Sequence, residues 1–186
     1  MTLRYRGYLP HLEFPNSIYF VTFRLAESIP ATVLANWSFE RENIIKVAER
    51  QKRELSKYEK EKLKYLFSSK IENYLDQHYA DCWLKQPAIA QVVAQTLKHL
   101  DGTRYCLHAW CIMPNHVHVV FTTISQGGEL DSDLIPILQA WKSVTAHKAN
   151  KILNRTGPFW QGEYYDHLIR SDQEYAHYIN THSKIL

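Results

Sequence analysis

Met113-Pro114-Asn115-His116-Val117-His118-Val119-Val120-Phe121 is the stretch whose reading decides the fold. Pro-Asn is turn chemistry, and Val, Val and Phe favour a pleated surface, so a tight turn feeding a β-strand is expected. Alternate residues of a strand share a face. His116, His118, Val120 and Thr122 therefore look one way, and Val117, Val119, Phe121 and Thr123 the other. The second set is a core face. The first opens with two imidazoles roughly 6 to 7 Å apart along the strand, a spacing at which two neutral rings can hold one metal ion. A His-x-His taken alone more often marks a half-exposed strand than a site. Here a preceding turn and an apolar opposite face present the pair.

Outward from this strand, Arg104 to Ile112 reads as its partner, so the two should form a hairpin about Met113-Pro114-Asn115. Ile18 to Leu25 reads as another strand, nearly continuous in hydrophobicity and so central in its sheet. Before it, Arg4-Tyr5-Arg6 and His11 form a polar, aromatic leader. After Pro30 a helical region is expected from about Asn36 to Tyr79, patterned in its second half by Leu63, Leu66, Phe67, Ile71, Tyr74 and Leu75. Its first half is more charged and reads as an extension or arm.

Pro87 suits the first turn of a helix with Ile89, Val92, Val93, Thr96, Leu97 and Leu100 on one face, stopped by Asp101-Gly102. Asp131-Ser132-Asp133 can cap a helix lined by Leu134, Ile135, Leu138, Trp141, Val144 and Thr145. Phe159 to Ile169 reads as a fourth strand or extended segment, and a last helix starts at Ser171 or Asp172. The order is strand, helix, strand, strand, helix, strand, then an added helix. That is an α+β, ferredoxin-like split βαβ chain: a four-stranded antiparallel sheet, helices on one face, and a C-terminal helix across the other. A single domain over 1–186 is expected, with 36–79 as a helical insertion.

Composition places limits on partners and compartment. The 186 residues are 45% hydrophobic and 22% charged, ordinary for a globular protein. No apolar run approaches the roughly 20 residues needed to span a bilayer, and Met1 to Arg6 lacks the apolar core of a signal peptide. A cytoplasmic protein without a membrane partner is expected. Cys82, Cys106 and Cys111 are an odd count without Cys-x-x-Cys spacing, which suggests buried thiols rather than a disulfide framework. The net charge is +3, but Arg41 to Lys70 carries ten Lys or Arg against five Glu. That segment suits either a phosphate backbone or a solvated helical face.

The last helix carries Tyr175, Tyr178 and His182. Tyr178 and His182, at i and i+4, share a face, so a phenol and a third imidazole could join the His pair as nucleophile and ligand. The alternative from spacing alone is packing at the end of an aromatic helix.

Several ordered motifs carry a resemblance. Pro114-Asn115-His116-Val117-His118-Val119, Trp141-Lys142-Ser143-Val144-Thr145, Gly157-Pro158-Phe159-Trp160-Gln161-Gly162-Glu163-Tyr164-Tyr165-Asp166 and Ile169-Arg170 together resemble the REP-associated tyrosine transposases, from roughly Ile18 to His182. The resemblance implies Mg²⁺ or Mn²⁺ on His116 and His118, and tyrosine attack on a phosphodiester of single-stranded or hairpin DNA. A 5′-phosphotyrosine and a free 3′-hydroxyl would result. Lys142, Lys148, Arg155 and Arg170 are expected phosphate contacts, and Trp160 or Tyr164 could stack on an unpaired base. A homodimer is compatible with the family. The chain departs from the family pattern after Ile169-Arg170: aligning Tyr178 with the nucleophile assumes the loss of one helical turn and puts His182 in place of the usual Asn. Tyr175 is the second choice, and an ungapped alignment places Thr181 there. A binding protein of the same fold without the chemistry, or a His-x-His hydrolase of another phosphoester, are the competing expectations.

Overall fold

Hydrophobicity repeating every second residue builds the sheet of this protein, and hydrophobicity repeating every three to four builds its helices. The computed structural model describes residues 2–6, 9–13, 16–67, 69–77, 81–124 and 134–182, with side chains from residue 16 onward except those of Lys64, Phe67 and His182. Two strands, β1 (Thr2–Arg6) and β2 (Leu9–Glu13), pair antiparallel, so the expected leader is a hairpin. They are followed by β3 (Ile18–Arg24), α1 (Ala31–Arg50), α2 (Lys57–Phe67), α3 (Ser69–Leu75) and α4 (Pro87–His99). Then come β4 (Tyr105–Ile112), β5 (His116–Thr123), α5 (Leu134–Ile152), β6 (Tyr165–Leu168) and α6 (Asp172–His182).

The main sheet has the order β4-β5-β3-β6, all antiparallel. With β3 first, β4 and β5 as the hairpin and β6 last, this is the ferredoxin-like split βαβ arrangement. β3 and β5 are the central strands. One sheet face carries Tyr19, Val21, Phe23, Val117, Val119 and Phe121, all buried in the main core with residues of α4 and α5. Polar atoms within that core are paired in series. Trp160 Nε1 donates to the Thr145 hydroxyl at 2.7 Å, which donates to the Trp141 carbonyl at 2.6 Å. Trp141 Nε1 donates to Tyr105 Oη at 2.9 Å, which donates to the Leu97 carbonyl at 2.7 Å. Such pairing offsets the cost of burying these groups.

The chain forms two compact units, residues 1–26 with 82–186 and residues 27–81. In the second unit the helical region begins at Ala31 and breaks between Arg50 and Lys57. Ser56 and Glu59 explain the restart: the Ser56 hydroxyl accepts from the Glu59 N–H at 3.2 Å, and Glu59 Oε2 accepts from the Ser56 N–H at 2.8 Å. This is a capping box. Glu40 of α1 bridges Lys62 of α2 and Lys70 of α3, each at 3.0 Å.

Three further expectations are corrected. The core stripe of α4 is Ile89, Ala90, Val93 and Leu97, while Leu100 is exposed; on α5, Ile137 and Ala149 are buried and Val144 is exposed. β6 spans only four residues, and upstream of it Trp160 makes an isolated bridge with Leu25. None of the cysteines is in a disulfide, but Cys106 is exposed and Cys82 and Cys111 are only partly buried. The expected cap Asp131-Ser132-Asp133 lies outside the described residues. Among the described residues no helix is long and apolar enough to cross a membrane.

Candidate functional site

The hairpin between β4 and β5 is fixed from several sides. Met113 N–H donates to the His116 carbonyl at 2.9 Å, Leu25 N–H to the Asn115 carbonyl at 2.8 Å, and Leu84 N–H to the Pro114 carbonyl at 3.1 Å. A turn so held delivers Asn115, His116 and His118 at one defined place. In register across the sheet, Thr22 of β3 stands opposite His118 and Arg24 opposite His116. The face opposite the main core therefore gathers Thr22, Arg24, His116 and His118 at one end.

The two imidazoles face each other through Nε2, at 2.9 Å. His116 is 0% exposed and His118 5%. His116 Nδ1 lies 2.7 Å from Asn115 Oδ1, and His118 Nδ1 lies 2.8 Å from Thr22 Oγ1. Two neighbouring ligands at about 2.1 Å from an octahedral cation lie ~3.0 Å apart, so this spacing suits such an ion. Each ring is also anchored by its second nitrogen, as metal-binding imidazoles usually are. Among the described residues there is no group of three or more His, Cys, Asp and Glu that could hold a metal. Two imidazole nitrogens are thus the donors in view, and water and substrate oxygens would complete an octahedral shell. The backbone of His182 closes α6, but its side chain, expected as a third ligand, lies outside the described residues.

α6 packs on this same face. Tyr175, Tyr178 and Ile179, spaced three and four apart, meet a cluster of Phe20, Ala109, Val120 and Ile169. The helix starts from Ser171, whose hydroxyl accepts from the Glu174 N–H at 3.2 Å, while Glu174 Oε2 accepts from the Arg170 N–H at 2.9 Å. That backbone bond is the main reason the Glu174 carboxyl titrates below its ordinary range. The Tyr178 ring stacks on Phe20 with centroids 4.2 Å apart, and Phe20 stacks on His118 at 5.4 Å. Tyr178 and His118 thus share a stacking partner in Phe20. Tyr175 does not: its hydroxyl lies 3.2 Å from His108 Nδ1, and His108 Nε2 lies 2.7 Å from Thr122 Oγ1. His108 falls at the register shift of β4, where a β-bulge re-aims a side chain.

No protein-family model matches the chain. No curated protein matches it either. Among solved structures, a REP-associated tyrosine transposase bound to a REP hairpin aligns with 97% of this chain and 69% of its own, at 14% identity and a TM-score of 0.50. The chain has the fold of a tyrosine transposase. A candidate transposase from Deinococcus radiodurans R1 aligns over 97% of this chain and 95% of its own, at 12% identity and a TM-score of 0.34.

On this transposase fold the remaining expected residues are dispersed. Trp160 is 6% exposed and Tyr164 8%, both within the main core, so neither offers the open ring face that base stacking needs. The Lys142 ammonium donates to the Gln161 and Gly162 carbonyls at 2.5 and 2.7 Å and ties α5 to the segment before β6. Arg155 lies over the Trp83 ring at 5.8 Å and donates to the Pro158 carbonyl at 3.3 Å. Lys148 is exposed on α5, the layer on the opposite side of the sheet from the His pair. Arg170 is exposed, two residues before the start of α6.

Sequence reasoning passed over Thr22, Arg24, Phe20 and Asn115. Asn115 was legible only as a turn residue, and the other three sit in a strand read as continuous core. Arg24 ends that strand, and burial pulls its guanidinium down to about 10, with Glu163 acting in the opposite direction. A cation placed in register with His116 is a signal that only strand pairing reveals.

Proposed function

We propose that this chain binds single-stranded or hairpin DNA and nicks and rejoins it by tyrosine attack, with Mg²⁺ or Mn²⁺ on His116 and His118. The observation that carries the reading is the convergence of three rings, Tyr178, Phe20 and His118, on the sheet face where the two Nε2 atoms meet. A tyrosine transposase of the same fold bound to a REP hairpin supports the choice of DNA. A bound divalent cation would polarise a non-bridging phosphoryl oxygen and stabilise charge in the transition state. The chain's own residues do the rest. His116 and His118, held through their second nitrogens, fix where the phosphate sits. Tyr178 Oη forms a bond to phosphorus while the bond to the 3′ oxygen breaks. The phenol proton passes to water and the 3′ oxygen takes one up, leaving a 5′-phosphotyrosine and a 3′-hydroxyl. Because the new ester retains the energy of the old, the step runs backwards to join strands.

The deciding measurement is covalent capture. Incubation with a single-stranded hairpin and Mn²⁺ is expected to yield a protein-DNA adduct stable to denaturation, lost in Tyr178→Phe and retained in Tyr175→Phe. An adduct that survives Tyr178→Phe would move the nucleophile elsewhere. A second reading keeps DNA binding and drops the chemistry. It is favoured by the way the Tyr178 ring is engaged in the apolar cluster of α6. Salt-sensitive hairpin binding with no adduct under any divalent metal would select it.

A further inference from the structure

Four side chains form one hydrogen-bonded series through the His pair: Thr22 Oγ1 to His118 Nδ1 at 2.8 Å, His118 Nε2 to His116 Nε2 at 2.9 Å, and His116 Nδ1 to Asn115 Oδ1 at 2.7 Å. All four residues are buried. One end sets the direction of the whole series. An amide oxygen can only accept, so His116 carries its hydrogen on Nδ1. A neutral imidazole has one N–H, which leaves a lone pair on His116 Nε2. His118 must then donate from Nε2, its Nδ1 becomes an acceptor, and the Thr22 hydroxyl donates to it.

The two ends of the series are therefore unequal. Were both Nδ1 atoms bound to acceptor-only oxygens, both Nε2 lone pairs would confront each other at 2.9 Å with nothing between them. A hydroxyl avoids this, because it donates or accepts by rotating about its C–O bond. We propose that Asn115 and Thr22 are positioning residues with different tasks. Asn115 holds His116 in the tautomer whose Nε2 is always ready for a metal, and Thr22 lets His118 exchange tautomers, so that its Nε2 lone pair becomes available only when a divalent cation is offered. In the exchange one hydrogen leaves His118 Nε2 to water and one arrives on Nδ1 from water, while the Thr22 hydroxyl turns from donor to acceptor. No proton is gained or lost overall.

This inference rests on the metal site proposed above but not on the DNA chemistry. It is tested on the full chain without DNA, by long-range ¹H–¹⁵N correlation of the imidazole nitrogens. The metal-free protein is expected to show His116 as the Nδ1–H tautomer and His118 as Nε2–H. Titration with Mg²⁺ is expected to convert His118 to Nδ1–H and leave His116 unchanged. His118 already in the Nδ1–H form without metal, or unmoved by saturating Mg²⁺, would overturn the proposal. Calorimetric Mn²⁺ affinity supplies a second reading: Thr22→Val and Asn115→Ala should each weaken binding by about tenfold, and Thr22→Ser should restore it. Equal affinity in Thr22→Val and Thr22→Ser would also overturn it. Because the spectra precede any reaction, adduct formation can fail while the tautomer assignment stands, and the reverse.

Discussion

The rings of Tyr178 and Phe20 lie nearly parallel, 20° apart in plane and 4.2 Å between centroids, and Phe20 also stacks on His118, with centroids 5.4 Å apart. Phe20 therefore contacts both the candidate nucleophile and one candidate ligand. It is fully buried. Phe20→Leu, which keeps a large apolar side chain but no ring, is expected to lower adduct yield more than it lowers stability. Phe20→Ala should cost about 3 to 5 kcal/mol in chemical denaturation. Full adduct yield in a folded Phe20→Leu protein would show that stacking on Phe20 does not orient Tyr178.

Tyr175 offers the contrasting case. Its hydroxyl is committed to His108, which also contacts Thr122 on β5. Tyr175→Phe removes one partly exposed hydrogen bond and is expected to cost about 0.5 to 1.5 kcal/mol with DNA capture intact. Loss of capture with unchanged stability would instead give Tyr175 the chemical role.

Acid should loosen α6 in two stages. Burial holds the His108 pKa below its ordinary 6.5, with Asp101 opposing the shift. The folded state thus binds a proton less readily than the unfolded one, so the stability His108 lends is complete above about 6.5 and falls as the pH drops below it. Glu174, held low chiefly by the Arg170 N–H, contributes stability present above its ordinary 4.5 and lost below it. Amide exchange across 172–182 should accelerate in the first range in wild type but not in His108→Gln. The second stage should vanish in Glu174→Gln.

Trp160 tests the distinction between core and interface. Its indole N–H donates to Thr145 inside the core and its ring meets Phe23 at 4.8 Å. Trp160→Phe should lower stability by about 1 to 3 kcal/mol, because Thr145 loses a buried partner. Hairpin affinity and its salt dependence, measured at a temperature where the variant is folded, should be unchanged.

In the helical unit, Ser56→Ala removes the side-chain acceptor that begins α2 and should cost about 1 kcal/mol in thermal or urea denaturation. Arg53 grips Glu59 with both guanidinium nitrogens, at 2.7 and 2.8 Å, and this bond is the largest of the causes that bring the carboxyl down to about 2. The support Glu59 gives is thus expected to be complete above pH 4.5 and to be lost progressively as the pH falls from there towards 2.

What the sequence determined by itself was local and periodic. Alternation along 116–123 separated the two imidazoles from Val117, Val119 and Phe121, and apolar stripes at helical spacing marked α4, α5 and the second half of the 36–79 region, because such periods follow from backbone geometry alone. With the element order they sufficed for the ferredoxin-like topology. Only the tertiary structure decided which atoms complete the site. Thr22 reaches His118 across 96 residues of sequence, Phe20 stacks with both Tyr178 and His118, and Trp160 turns inward to Thr145. Each depends on strand register and on how one helix settles on a sheet face. Those are long-range choices that packing makes, and no repeat within a single segment encodes them.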